Sequence, residues 1–218
     1  INLLDGIGLD VSGASAAAFA SGDLVVLHQL RADSISNDDS VSWEVLVGAE
    51  TSTPPRYDGS ETFAFVTSAG TVLGSIDNGR LRARFGELVV RIPFFPGQHP
   101  VALSLAAAQV EVELTAAGCH GVVGGAVRDL DVTAVVLPEL AAQAVAHMQA
   151  NPDHEDTLEA VQFFDRNGDG EVTPAEVIRV VRDFAPPDVH LDDDSRLDAL
   201  SFGFGFSCVR ATLEPLPL

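Results

Sequence analysis

One stretch of the sequence, 165–176, constrains the chain more than any other. It reads Asp-Arg-Asn-Gly-Asp-Gly-Glu-Val-Thr-Pro-Ala-Glu, with oxygen-bearing side chains at alternate positions from Asp165 to Asp169 and a glutamate, Glu176, at its end. Gly170 permits the positive φ of a sharp turn, which residues with a Cβ resist. Hard cations take about six to eight oxygen ligands. The spacing therefore predicts a loop that holds such a cation.

The stretch resembles the loop of EF-hand calcium-binding proteins, and the resemblance extends over residues 155–184. The sequence fits the motif D-x-[DN]-x-[DN]-G-x5-E at every ligand position. The resemblance implies calcium as the cofactor, with a backbone carbonyl from Glu171 and a direct or water-mediated contact from Thr173. The alternative is a chance acidic turn between two helices. The implied calcium ligands are Asp165, Asn167, Asp169, Glu171, Thr173 and Glu176.

Both flanks of the loop carry apolar residues at helical spacing, which predicts a helix on each side. Pro174 falls in the first turn of the second helix, where a missing N–H costs nothing. The apolar positions are Ala160, Val161 and Phe164 before the loop, and Val177, Val180, Val181 and Phe184 after it.

Residues 1 to about 115 carry the short alternating patterns of β-strands. Apolar and polar residues alternate in these strands, and the alternation shifts by one position after Gly86. It shifts again across 106–108. A one-residue slip turns side chains to the other face of a sheet, so each shift predicts a bulge or a sharp bend. Several short strands favour a sandwich or a barrel. We expect a mainly antiparallel β-sandwich.

The end of the chain predicts a return to this β-structure. Phenylalanines alternate with glycines from Phe202 to Phe206, which suits a strand packed closely on one face. We therefore expect an α+β fold and a single compact domain, 1–218. Its sandwich comprises 1–117 and 199–214, and a helical EF-hand segment, 129–184, is inserted before the last strand. The glycine-rich 118–125 is expected to be a hinge that leaves the sheet.

A second acidic cluster follows the helices and has the spacing D-x-D-x-x-x-D. Its members, Asp192, Asp194 and Asp198, resemble calcium-binding turns of thrombospondin type 3 repeats, and they form a second candidate metal site. The alternative is a solvated acidic loop, because the glycine and closing glutamate of an EF-hand are missing. His190 beside the cluster favours a softer metal, but one imidazole is weak evidence.

The C-terminal half also resembles uncharacterised secreted or lipoprotein-type proteins of myxobacterial style. The matching segments are 121–138, the EF-hand, and 192–206. In that pattern a β-rich half precedes a helix, an EF-hand-like loop and an Asp-rich loop that ends in Asp-Ala-Leu-Ser. Here Ser195 and Arg196 replace a glycine-containing turn. The resemblance implies no catalytic activity.

Charge and cysteine content limit the binding partners and the cellular location that we expect for the protein. The formal net charge is −20, from 32 acidic and 12 basic residues, and every basic residue is an arginine. A chain this acidic repels nucleic acid and anionic membranes, and no apolar run is long enough to span a membrane. The composition suggests a high-GC bacterial genome or salt adaptation. Cys119 and Cys208 can form one disulfide, which favours a secreted or cell-surface protein; two buried free thiols are the alternative.

No catalytic motif is present, since the sequence lacks G-x-S-x-G and H-E-x-x-H. Glu111 and Glu113 share a strand face, where they could act as an acid–base pair or pair with arginines 80, 82 and 84. Trp43 could form a sugar platform, although its alternation with valines favours the core. The sequence thus predicts a secreted calcium-binding structural or cell-surface protein. The alternatives are a calcium-dependent glycan-binding or subunit-assembly module, and a secreted hydrolase with a structural calcium.

Overall fold

The structure is a computed structural model that describes residues 10–49, 51, 53–84, 86–192 and 196–215. A helix, α1, opens this part of the chain and seven strands follow. Their bounds are α1 Val11–Ser21, β1 Val26–Arg31, β2 Asp38–Gly48, β3 Thr62–Asp77, β4 Arg80–Arg84, β5 Glu87–Ile92, β6 Val101–Leu114 and β7 Gly118–Arg128.

The helices come next, and two strands end the chain. The bounds are α2 Asp129–Asp131, a π-helical turn Val132–Val136, α3 Leu137–Ala150, α4 Glu155–Phe164, α5 Pro174–Phe184, β8 Ala199–Val209 and β9 Thr212–Pro215. None of the described helices is both long and apolar enough to span a membrane.

The strands form one nine-stranded sheet in the described part of the chain. Its order is β1-β2-β3-β4-β6-β7-β8, with β5 beside β6 and β9 beside β3. The pairs β1–β2, β2–β3, β3–β4, β4–β6 and β6–β7 are antiparallel, and β3–β9 is parallel. The predicted α+β class with a mainly antiparallel sheet is confirmed. A sandwich of two sheets is not confirmed.

The chain divides into two compact units. The helical unit contains residues up to Ala17, then Arg91–Leu103 and Val127–Leu200, and the sheet unit contains Ala18–Val90, Ser104–Ala126 and the residues from Ser201. Whether the whole chain behaves as the single domain expected from the sequence stays a prediction.

Both predicted irregularities of the strands are present. The chain bends at Gly86, and buried residues alternate on either side of the bend in β4 and β5; Phe85 lies outside the described residues. In β6 the neighbours Leu105 and Ala106 are both buried, Ala107 has φ 49°, and the register with β7 shifts there. A β-bulge thus keeps one apolar face inward across the shift.

Two expectations about the β-region were wrong. Residues 11–21 form α1, where Asp10 Oδ1 accepts a 2.7 Å hydrogen bond from the Gly13 N–H. Residues 118–125 lie within β7 and do not leave the sheet. A Cβ on Gly118 would collide with the Cys208 carbonyl, and one on Gly121 would collide with the Glu111 carbonyl. These glycines therefore permit close approach of neighbouring strands.

The helical unit has its own apolar core. Pro138 lies in the first turn of α3, directly after the π-helical turn, where a missing N–H costs nothing. The exit helix α5 packs mainly against α3, because the apolar faces of both helices meet. The buried apolar residues are Leu137, Leu140, Ala141, Ala144 and Met148 in α3, and Val177, Val180 and Val181 in α5.

A disulfide joins β7 and β8 in the sheet unit. It links Cys119 and Cys208, which are 89 residues apart, with an S–S distance of 2.06 Å. A cross-link of this kind restricts the unfolded chain, and the gain in stability grows with the length of the closed loop.

The double variant Cys119→Ala/Cys208→Ala should unfold more easily. We expect its free energy of unfolding to fall by about 2–5 kcal/mol, because the unfolded chain regains loop entropy. Urea denaturation measures this, and Ser207→Ala, beside the bond, serves as the control. An unchanged free energy of unfolding in the double variant would contradict the expectation.

A chain that ends at Phe184 should fail to fold cooperatively. It lacks β8 and β9, which pair with β7 and β3, so the sheet unit would expose two unpaired edges. We expect insoluble protein or a broad thermal transition by circular dichroism. A chain that ends at Pro215 is the control and should melt like the parent. A sharp transition in the shorter chain would show that the sheet unit does not need these strands.

Candidate metal centre

The structure places a helix on each side of the motif. The entering helix α4 ends at Phe164, which is 2% exposed. The exit helix α5 begins at Pro174 after the N-cap residue Thr173. Thr173 and Glu176 form a capping box, in which each side chain accepts a hydrogen bond from the other residue's backbone N–H. This box satisfies two N–H groups that a helix start leaves without partners.

Asp165 organises the first half of the loop. Its Oδ1 accepts a 2.7 Å hydrogen bond from the Gly168 N–H, and its Oδ2 accepts one of 2.9 Å from the Gly170 N–H. Both glycines have positive φ, at 74° and 86°. The predicted sharp turn at Gly170 is therefore confirmed, and the turn at Gly168 adds a second.

Asn167 and Asp169 continue the same pattern. Asn167 Oδ1 accepts a 2.8 Å hydrogen bond from the Asp169 N–H, and Asp169 Oδ1 accepts one of 2.8 Å from the Glu171 N–H. The Asn167 amide also donates to Asp169 Oδ2 at 2.9 Å. The side-chain oxygens of the loop thus fold its backbone into successive turns.

Glu176 is the one acidic residue of the loop that is buried, with 3% of its surface exposed. Its Oε2 accepts hydrogen bonds from the Thr173 N–H at 3.0 Å and from the Thr173 hydroxyl at 2.9 Å. Its Oε1 is also buried, and no described group bonds it. A buried carboxylate oxygen without a partner is costly. This oxygen is free to bind a cation.

The loop does not gather its carboxylates. Among the described residues, no three side chains of His, Cys, Asp or Glu lie close enough together to hold a metal ion. The EF-hand pattern contains three carboxylate side chains, those of Asp165, Asp169 and Glu176, beside one amide and one backbone carbonyl. Like charges repel one another, so electrostatic repulsion keeps the three carboxylates apart in the chain alone.

The far end of α5 is anchored by an ion pair. Arg182 Nη2 lies 2.7 and 2.9 Å from the two carboxylate oxygens of Asp129, and Arg182 Nη1 donates to the Thr133 hydroxyl at 2.9 Å. Because Arg182 uses one nitrogen on Asp129 and the other on Thr133, it holds α5 against α2 and the π-helical turn. This contact could not be predicted from sequence patterns, because Asp129 and Thr133 are 53 and 49 residues away from Arg182.

Aromatic rings join the two helices of the loop. Phe163 of α4 and Phe184 of α5 have ring centroids 5.5 Å apart, and the Arg166 guanidinium lies 5.8 Å from the Phe163 centroid. Edge contacts with Phe164 extend the group. The entering and exit helices are therefore in direct contact.

The second acidic cluster is described only in part, because Asp194 lies outside the described residues. Asp192 is exposed. Asp198 Oδ1 accepts a 2.8 Å hydrogen bond from the Leu191 N–H, which lowers the pKa of Asp198 below its usual value. The neighbouring His190 Nδ1 lies 2.7 Å from the Arg196 carbonyl. Asp198 thus closes the base of this loop, and whether the cluster holds a metal stays a prediction.

The paired glutamates of β6 form a cross-strand ion ladder. Glu113 faces Arg80 and Glu111 faces Arg82 in register. Arg80 lies 2.7 Å from Glu113 and 3.1 Å from Glu111, and His120 lies 2.8 Å from Glu113. The hydrogen bond from Arg80 is the main cause that lowers the pKa of Glu113. The predicted cross-strand pairing is confirmed.

Comparison with protein-family models, curated proteins and solved structures finds no match for the chain.

Proposed function

We propose that loop 165–176 binds one calcium ion and that this ion stabilises the helical unit of a secreted or cell-surface structural protein. The observation that carries the proposal is the buried Oε1 of Glu176, which has no partner in the described chain. A cation beside this oxygen would offset the cost of burying it. Glu176 also closes the EF-hand pattern, so sequence and burial select the same residue.

The rest of the loop supports a hard cation. Asp165, Asn167 and Asp169 supply side-chain oxygens, and Glu171 supplies a backbone carbonyl. All of these are hard oxygen donors of the kind that calcium prefers over nitrogen or sulfur. The loop already has its two positive-φ glycines and its turns, so binding would require side chains to reorient and would leave the backbone path in place. Thr173 would hold Glu176 in position through its hydroxyl.

A stabilising role is favoured over a sensor role. EF-hand sensors open to expose an apolar groove, often one rich in methionine. Here the apolar face of α5 is buried against α3, with Val177 and Val180 fully enclosed. The chain has a single methionine, Met148, and it is buried. A calcium ion would therefore strengthen packing that already exists.

The disulfide supports an extracellular setting, because such bonds persist in oxidising compartments. The alternative functions find no specific support. Trp43 is 2% exposed and belongs to the core, which argues against a sugar platform. Glu111 and Glu113 are engaged by arginines, which argues against a free acid–base pair.

Calorimetry with calcium tests the proposal directly. The parent protein, stripped with chelator, should bind about one calcium with a dissociation constant between micromolar and millimolar. Glu176→Gln should weaken binding by at least about tenfold, since it removes a charged ligand. Glu159→Gln makes the same change on the exposed face of α4 and should bind like the parent. Equal affinity in Glu176→Gln and the parent would refute the assignment.

Calcium should raise the melting temperature without opening the fold. At a concentration of a hundred times Kd the gain is about 2.7 kcal/mol, which corresponds to about 5–10 °C for a chain of this size. Hydrogen exchange with and without calcium should differ mainly in 155–184. Faster hydrogen exchange across β1–β7 in the presence of calcium would instead indicate a sensor. So would an apolar dye that binds only when calcium is present.

A further inference from the structure

His28 of β1 lies between two aromatic rings of the sheet unit. Its imidazole centroid is 5.1 Å from that of Trp43 on β2 and 5.0 Å from that of Phe206 on β8. The ring of Phe206 is nearly parallel to the imidazole, with an interplanar angle of 19°. β1 and β8 stand at opposite ends of the strand order. This stack is therefore a side-chain contact between two strands that the order does not pair, and we call it the His28 seam.

One nitrogen of the imidazole has no polar support in the seam, and the side chain as a whole is partly buried. Its Nδ1 is buried, and no described group bonds it. His28 pairs in register with Val45, so it shares a sheet face with Leu30 and Trp43. These three neighbours are uncharged. Residues one position along a strand point to the other face.

The charged groups of the packed strands lie elsewhere. On β1, Arg31 is exposed and donates to Gln29 at 3.0 Å. On β2, Glu44 lies opposite Gln29, on the face away from His28. All of β8 is described, and it contains no acidic or basic residue. Its cysteine, Cys208, forms the disulfide and does not titrate. A proton on His28 would thus meet two apolar rings and no counter-charge.

We propose that protonation of His28 opens the contact between β1 and β8, so that the seam acts as a proton-sensitive latch. In the closed seam, an imidazolium would carry a buried Nδ1–H without a partner, which is unfavourable. In the open form, the same ring is solvated and its charge costs little. The direction of the switch follows from this difference, since acid favours the open form.

The pH range in which the seam should open follows from the pKa of His28 in the closed and open forms. Burial lowers the pKa of His28 to about 4 in the closed seam, against about 6.5 for an exposed imidazole. The closed form is fully favoured above pH 6.5, and its advantage declines as the pH falls toward 4. Over that interval the opening equilibrium constant should rise by up to about 300-fold.

Trp43 is the only tryptophan of the chain and reports on the seam directly. It is 2% exposed, so opening should shift its emission to longer wavelength and raise its quenching by acrylamide. The full chain is titrated from pH 8 to 3.5 at constant ionic strength, with circular dichroism recorded in parallel. We expect a reversible emission change between pH 6.5 and 4, with the sheet signal retained.

Two variants at the same position and one control complete the test. His28→Phe keeps an aromatic ring between Trp43 and Phe206 but cannot titrate, and His28→Gln removes titration with a smaller side chain. Both should lose the emission change in this interval. His120→Gln removes an exposed imidazole of the same unit and should keep it. A parent protein without the change, a change that persists in both His28 variants, or loss of the whole sheet signal at the same midpoint would each overturn the proposal.

Discussion

The buried carboxylate of Glu176 is the constraint on which the helical unit depends. It sits at the start of α5, where it completes a capping box with Thr173 and is enclosed with the apolar face of that helix. One oxygen of this carboxylate is satisfied by Thr173, and the other has no partner among the described residues. The helix end, the loop and the packing of α5 therefore meet at a single carboxylate, and we propose that its second oxygen binds a cation.

The rest of the helical unit holds α5 in position around that group. The valines of α5 pack against α3, and Arg182 fastens its far end to Asp129 and Thr133. A helix fixed at both ends and along one face has little freedom to swing. This is the physical reason for our proposal that calcium would stabilise the fold and not switch it, since a switch needs an element with two arrangements of similar free energy. The sheet unit has its own restraints in the disulfide and in the arginine–glutamate ladder across β4 and β6.

Local patterns in the sequence predicted much of this structure. The shifts of the apolar alternation at Gly86 and 106–108 located a bend and a bulge, because each depends only on which face a residue occupies. The loop and its flanking helices followed from spacing and from Pro174. The helix α1 cannot be predicted in this way, since its run of small residues has no apolar stripe, and the glycine-rich sequence of β7 wrongly predicts a hinge. Only the neighbouring strands show that these glycines are needed for close approach.

The contacts that could not be predicted are the non-local ones. Nothing in the sequence pairs Arg182 with Asp129, or stacks His28 on a phenylalanine near the end of the chain. The ligand pattern was visible, but the burial of Glu176 and the freedom of its Oε1 depend on tertiary packing. The carboxylates of the predicted ligands do not converge among the described residues, and the ligand set stays a prediction.

A crystal structure of the protein, from crystals grown in the presence of calcium, tests the central claim most directly. The account predicts one calcium ion in loop 165–176, identified by its anomalous signal, with the Oε1 of Glu176 among its ligands. It also predicts that α5 keeps its packing against α3. A loop without calcium, or a calcium ion bound at the loop while Glu176 Oε1 remains without a partner, would contradict it.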